Sequence, residues 1–114
     1  MATTYRRCVR HLSLGDLRKQ GADVGKSYFE FLRVPEMSAG LYVLAAGEDD
    51  PQHPHREDEV YVVLSGAARF TGAGETTAVG HGSVIFVPAF EEHRFHDITE
   101  QLEVVVVFAP GETE

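Results

Sequence analysis

The strongest constraint on this chain is a cadence of short apolar runs, each cut off by Gly, Pro or Asp. They are "SYFEFLRV" (27–34), "GLYVLAA" (40–46), "EVYVVLSG" (59–66), "AARFTG" (67–72), "TTAV" (76–79), "SVIFVP" (83–88), "HRFHDI" (93–98) and "LEVVVVFA" (102–109). Each is rich in β-branched and aromatic residues, which fit a pleated, half-buried surface, so each predicts a strand. Short strands at regular spacing predict an all-β antiparallel sandwich or barrel. "TGAGE" joins two of the runs as a hairpin loop whose glycines can take positive φ.

Ahead of these runs, "SLGDLRKQG" predicts one short N-terminal helix. Ser13 can cap it, Asp16 follows three residues on, Leu14 and Leu17 share a face, and Gly21 can end it. No linker divides the chain, and 114 residues suffice for one core. The expectation is a single domain over 1–114, with a helical N-terminal segment (1–25) and β structure over 26–109.

Charge and cysteine content narrow the function classes. Ten Lys and Arg stand against eighteen Asp and Glu, a formal net charge of −8, which is the wrong sign for a phosphate backbone. Arg6, Arg7, Arg10, Arg18 and Lys19 gather near the N-terminus without an aromatic-basic stripe, so no nucleic-acid partner is expected. The longest apolar run, Leu102 to Ala109, is far short of the roughly 18 residues that span a bilayer. No membrane partner is expected, and the N-terminus lacks a secretory pattern, which points to a cytoplasmic location. Cys8 is alone, so neither an internal disulfide nor a multi-cysteine zinc site can form.

Strand parity places Glu59, Tyr61 and Val63 on one face and Val60, Val62 and Leu64 on the other. Neither face is polar, and Leu102 to Ala109 is apolar on both as well. The outer side of the sheet therefore needs a cover, either the N-terminal segment or a second copy of the chain, which is the basis for expecting a homodimer.

The chemistry concentrates in "GEDDPQHPHREDE". In an extended segment His53 and His55 project to the same side, so two imidazoles can share one ion. Taken alone, such a pair in an acidic, Pro-containing loop is equally a solvated surface feature. Its framing is more specific. Gly47 is followed after five residues by His53, after one more by His55, after three by Glu59 and after six by Gly66. Gly82 is followed after five residues by Pro88, with His93 beyond it.

This pattern resembles the two signature motifs of the cupin family, a small antiparallel β-barrel of jelly-roll or double-stranded β-helix type. The first motif is complete. In the second, Phe90 stands where the family normally has Gly, Asp97 where Asn is usual, and His81 where a small residue or Pro is expected. Phe90 implies either a reshaped turn or a bulky apolar wall beside the site, while His81 is expected to be an exposed turn residue.

The resemblance implies that His53, His55, Glu59 and His93 bind one divalent transition metal. Three neutral imidazoles and a carboxylate suit Fe(II), Mn(II), Co(II), Ni(II), Cu(II) or Zn(II) alike. Four such ligands in an octahedral arrangement leave two positions for water, substrate or dioxygen, whereas four in a tetrahedral arrangement leave none. Parity adds Tyr61 and Val63 beside Glu59 and Phe95 beside His93, with Arg94 and His96 outward. The expected pocket is apolar and aromatic, walled by Val63, Phe90 and Phe95, with Tyr61 as a candidate catalytic proton or hydrogen-bond donor. The other acidic residues of the loop, Glu48, Asp49, Asp50, Glu57 and Asp58, are expected to be solvated, and His11 and His96 to lie at the surface.

The favoured activity is that of a non-haem metal-dependent oxygenase acting on a small chelating molecule. The alternatives are a non-redox isomerase, lyase or cyclase using the ion as Lewis acid, and a binding module without turnover. No second carboxylate for proton transfer, activated serine or phosphate-cradling loop is visible in the sequence.

Overall fold

The structure, a computed structural model, describes residues 8–51 and 54–112. The helix α1 runs Leu14–Val24, and six strands follow: β1 Tyr28–Val34, β2 Met37–Leu44, β3 Asp58–Gly72, β4 Glu75–Gly80, β5 Val84–Val87 and β6 His93–Ala109. All strand pairs are antiparallel. The sheet order is β1-β2-β6-β3-β4, and β5 pairs with the first half of β3 on the side where β4 takes its second half. The sheet curls into a barrel-like shape without hydrogen-bonded closure. This is the expected all-β antiparallel architecture with one short N-terminal helix.

Ser13 caps α1 by accepting from the backbone N–H of Asp16 at 3.2 Å. The helix runs past Gly21 and ends at Gly25, which takes the left-handed conformation (φ 74°) and donates to the Gly21 carbonyl. Gly21, the expected end, lies within the helix, beside Phe29 of β1. The buried Leu17 faces the sheet, and the Arg18 guanidinium holds Glu103 through two hydrogen bonds of 2.6 and 2.8 Å.

Two pairs of expected strands are each one long bent strand. Residues 59–66 and 67–72 are both part of β3, and 93–98 and 102–109 are both part of β6. Gly66, expected as a strand end, is a bend: its φ is 101°, and a Cβ there would overlap the backbone of Gln101 and Leu102 on β6. The β3–β6 register shifts between Val63 and Arg69, on either side of this glycine. On β6 the matching irregularity is Asp97 at φ 48°, a conformation that Asp and Asn tolerate better than other side chains. Asp in place of the usual Asn is therefore a mild departure.

The interior holds Leu44, Tyr61, Val63, Phe95, Leu102 and Val104, all at most 1% exposed. Among the described residues no helix is long and apolar enough to cross a membrane.

Candidate metal centre and cavity

Three of the four expected ligands converge. Glu59 opens the inward face of β3, His93 opens β6, and His55 lies just before β3; one ligand atom from each lies within 4.8 Å of the others. His53 lies outside the described residues. The two segments that carry the ligands are stitched together. The N–H of Phe90 donates to the His55 carbonyl at 2.6 Å, and the N–H of Ala89 donates to the Asp58 carboxylate at 2.8 Å.

The protonation geometry is specific. Nδ1 of His93 lies 2.8 Å from the Glu91 carbonyl oxygen, which can only accept, so Nδ1 carries the proton. The lone pair of Nε2 is then turned inward, 2.8 Å from Oε1 of Glu59. Nε2 and both Glu59 carboxylate oxygens are buried and lack an aligned hydrogen bond. Lone pairs facing each other at that distance repel unless a proton or cation lies between them. The proton solution is favoured by the surroundings of His93. Burial pushes its pKa down, but Glu59, the Glu91 carbonyl and the charge of Asp50 carry it above the ordinary histidine value. A divalent cation is the other solution, and the borderline N/O donor set fits one.

Beside the ligands is a cavity of about 180 Å³, lined by Tyr28, Tyr42, Pro51, His55, Glu59, Tyr61, Val106, Phe108 and Glu112. Tyr61 is fully buried. Burial first, and then the charges of Glu59 and Asp50, push its phenol well above the ordinary tyrosine value, so it stays protonated and can act as a donor.

The expected walls differ. Val63 (1% exposed) sits one inward position deeper on β3 than Tyr61, within the core. Phe95 (0% exposed) packs edge-on against Tyr61 and Phe70, with ring centroids 4.9 and 5.0 Å apart, and supports the cavity from behind. Phe90 is no wall at all. It is 70% exposed at the loop tip with φ 67°, so the turn keeps the left-handed conformation suited to Gly and turns the ring into solvent.

The acidic loop is less solvated than expected. Asp50 is 5% exposed; one of its carboxylate oxygens accepts from the Tyr42 hydroxyl and the other from the Phe95 N–H at 2.9 Å, which fastens the histidine loop to β6. Glu57 is buried as well, whereas Glu48, Asp49 and Asp58 are exposed as expected, Glu48 accepting from the Ala45 N–H at 2.7 Å. Of the two histidines expected at the surface, His11 is exposed, whereas His96 is half-buried with Nε2 2.7 Å from the Thr71 hydroxyl. His81 is an exposed turn residue bonded to the Leu64 carbonyl.

The remaining lining comes from residues that sequence reasoning missed. Register would have supplied some of them: Tyr28 lies opposite Tyr42, Val106 opposite Tyr61, and Phe108 opposite Glu59. Glu112 had no such signal. It follows β6 in a segment held by Arg33, which donates to the Glu112 carbonyl at 2.7 Å, and by Ser38, whose hydroxyl accepts from the Glu112 N–H at 2.9 Å. Its carboxylate reaches 3.5 Å from Nδ1 of His55. Burial first, and then the charges of Glu57, Glu59 and Glu30, raise its pKa, with Arg33 opposing.

Residues 40–110 match the cupin domain family. The chain therefore belongs to the cupins. It is 50% identical over 105 residues to an uncharacterised protein of Streptomyces coelicolor, covering 92% of this chain and all of that one. Among solved structures it is similar to an RmlC-like cupin of Methanocaldococcus jannaschii (TM-score 0.66, 22% identity, 73% of this chain and 78% of that one). It is also similar to the DMSP lyase DddQ of Ruegeria pomeroyi (TM-score 0.66, 22% identity) over 87% of this chain and 54% of the lyase. At these identities the structural likenesses show the fold.

Proposed function

We propose that this cupin is a metal-dependent enzyme acting on a small molecule that chelates the ion inside the cavity. His55, Glu59 and His93 hold the metal together with His53. The observation that carries this reading is the buried approach, 2.8 Å, between Nε2 of His93 and the Glu59 carboxylate, with His55 beside them, a donor set that suits a divalent cation. A bound divalent ion would supply Lewis-acid polarisation of a coordinated oxygen or, if redox-active, a site for dioxygen.

The chain's own residues divide the remaining work. Tyr61 stays protonated beside Glu59 and can donate a hydrogen bond, while Tyr28, Tyr42, Val106 and Phe108 give the cavity a largely apolar wall. An oxygenase is the reading favoured by analogy with the family together with the intact set of expected ligands. The cavity gives specific support to a second reading, a non-redox isomerase or lyase, because it holds a further carboxylate. Glu112, beside His55, can take a proton from a coordinated substrate. Elemental analysis of protein purified without added metal tests the site. Oxygen uptake by the Fe(II)-loaded protein with 1,3-diketones, catechols, flavonols and thiols tests the oxygenase reading, whereas turnover under strict anaerobiosis supports the non-redox one.

A homodimer is proposed on separate grounds. On the outer side of the sheet Val84 and Phe86 are 68% and 61% exposed and lie across β3 from the half-buried Val105 and Val107. A second copy seated there would cover them.

A further inference from the structure

Tyr28 and Tyr42 are opposite one another on β1 and β2, and both line the cavity, but their hydroxyls differ. That of Tyr42 donates to Asp50. That of Tyr28 is buried and, among the described residues, has no hydrogen-bond partner. A buried donor left unpaired is destabilising, so its persistence needs a cause.

The surroundings show how it is kept there. The Tyr28 phenol crosses over Gly40 on β2, where a Cβ on residue 40 would overlap both the end of the ring and the hydroxyl oxygen. Gly40 is thus a slot. The ring is further fixed by edge-on contacts with Tyr42 and Phe108, at centroid distances of 6.2 and 6.3 Å. The phenol is also held protonated. Burial first, and then the charges of Glu112, Glu30 and Glu59, raise its pKa, with Arg33 opposing. The phenol is therefore a preset donor in the wall of a space of about 180 Å³, the room of about six water molecules at ~30 Å³ each.

We propose that Tyr28 is a specificity-determining residue, donating its hydrogen bond to an acceptor oxygen of a small, oxygen-rich ligand that also presents a hydroxyl or N–H to Glu112. Glu112, when ionised, can only accept, so the two groups together ask for a ligand with an acceptor and a donor on one compact frame. Hydroxy acids and hydroxamic acids meet that description, and purely hydrocarbon or polyaromatic ligands do not. Sites that hydrogen-bond a ligand in this way discriminate strongly, because a ligand without the matching group leaves the donor unpaired. The inference rests on the metal reading above, since the ligand's remaining oxygens are taken to face His55, Glu59 and His93.

The test uses the full chain loaded with Zn(II), with glycolate and acetohydroxamate as probes. Metal content is measured by elemental analysis and probe affinity by calorimetry, in the wild type and in Tyr28→Phe. The expected result is unchanged metal content and an affinity lowered about tenfold in the variant, the size of one lost hydrogen bond. Gly40→Ala, which closes the slot, should lower affinity to a similar extent. Equal affinity of wild type and Tyr28→Phe, both fully loaded, overturns the role of Tyr28 and leaves the metal reading intact. Loaded wild type that binds neither probe overturns the ligand class. Wild type that takes up no metal overturns the metal reading, and this inference with it.

Discussion

Along β3 the inward residues Glu59, Tyr61 and Val63 are at most 2% exposed, whereas their outward neighbours Val60 and Val62 are only half-buried. Opposite the outward pair on β5 stand Val84 and Phe86, both largely exposed. Each face thus carries one departure from ordinary burial: a carboxylate in an otherwise apolar interior, and bare hydrocarbon on the outside. Burying Glu59 costs stability unless something pairs with it. Exposing Phe86 forgoes stability unless something covers it. The two partners proposed above, a cation within and a second copy without, would each resolve one face.

The largest expected effect is on the inner face. Glu59→Gln or His93→Ala should lower metal affinity more than about a hundredfold, beyond the 10–100-fold typical of losing a supporting hydrogen bond. Elemental analysis after dialysis checks this, and full occupancy in both variants would remove these residues from the metal's ligand set. Asp50→Ala comes next. It leaves the Tyr42 hydroxyl and the Phe95 N–H buried without their acceptor, which should cost about 2–4 kcal/mol of stability by denaturant titration. A loss below about 0.5 kcal/mol would mean that Asp50 is as solvated as its sequence context suggested.

The third prediction concerns pH, where the inner face should change sign with its occupant. In the metal-free protein His93 and Glu112 both have raised values, so the fold binds more protons than the unfolded chain. The His93 contribution is fully present below about pH 6.5 and is lost as pH rises through the folded value; that of Glu112 begins to fade above about pH 4.5. Stability of the chelator-treated protein should therefore fall as pH rises from about 4.5 to beyond 6.5. With metal the slope should reverse, because only neutral imidazole ligates. Thermal melts of both forms across this range check the sign, and parallel profiles would argue against histidine ligation.

How far the sequence predicts this molecule depends on how local each cause is. The strands were legible because alternation and β-branching act residue by residue. His55, Glu59 and His93 were legible because motif spacing is a one-dimensional record of their convergence. The bends were not: Gly66 looks like punctuation until β6 lies against it. The cavity wall was not legible either, because Tyr28, Tyr42 and Phe108 become neighbours only through pairing in register. Asp50 and Glu112 look like surface acids, since nothing in the chain around them records the donors that meet them across the fold.

On the outer face, Phe86→Lys should change the monomer's stability by no more than about 0.5 kcal/mol, as an exposed substitution does. If a second copy covers this face, the variant should be monomeric by sedimentation at a concentration where the wild type is dimeric; identical masses would leave Phe86 bare and the dimer proposal without its interface.

The smallest effect is expected at Phe90, the residue that sequence reasoning assigned to the inside and the structure puts outside. Its left-handed backbone costs a side-chain-bearing residue about 1–2 kcal/mol. Glycine would remove that cost but add about 0.5–1 kcal/mol of chain entropy to the unfolded state. Phe90→Gly should therefore stabilise by less than about 1 kcal/mol and leave glycolate and acetohydroxamate affinity unchanged. A clear loss of probe affinity at constant metal content would show that the ring turns in over the cavity when a ligand is bound, and would move Phe90 from the outer surface to the inner wall.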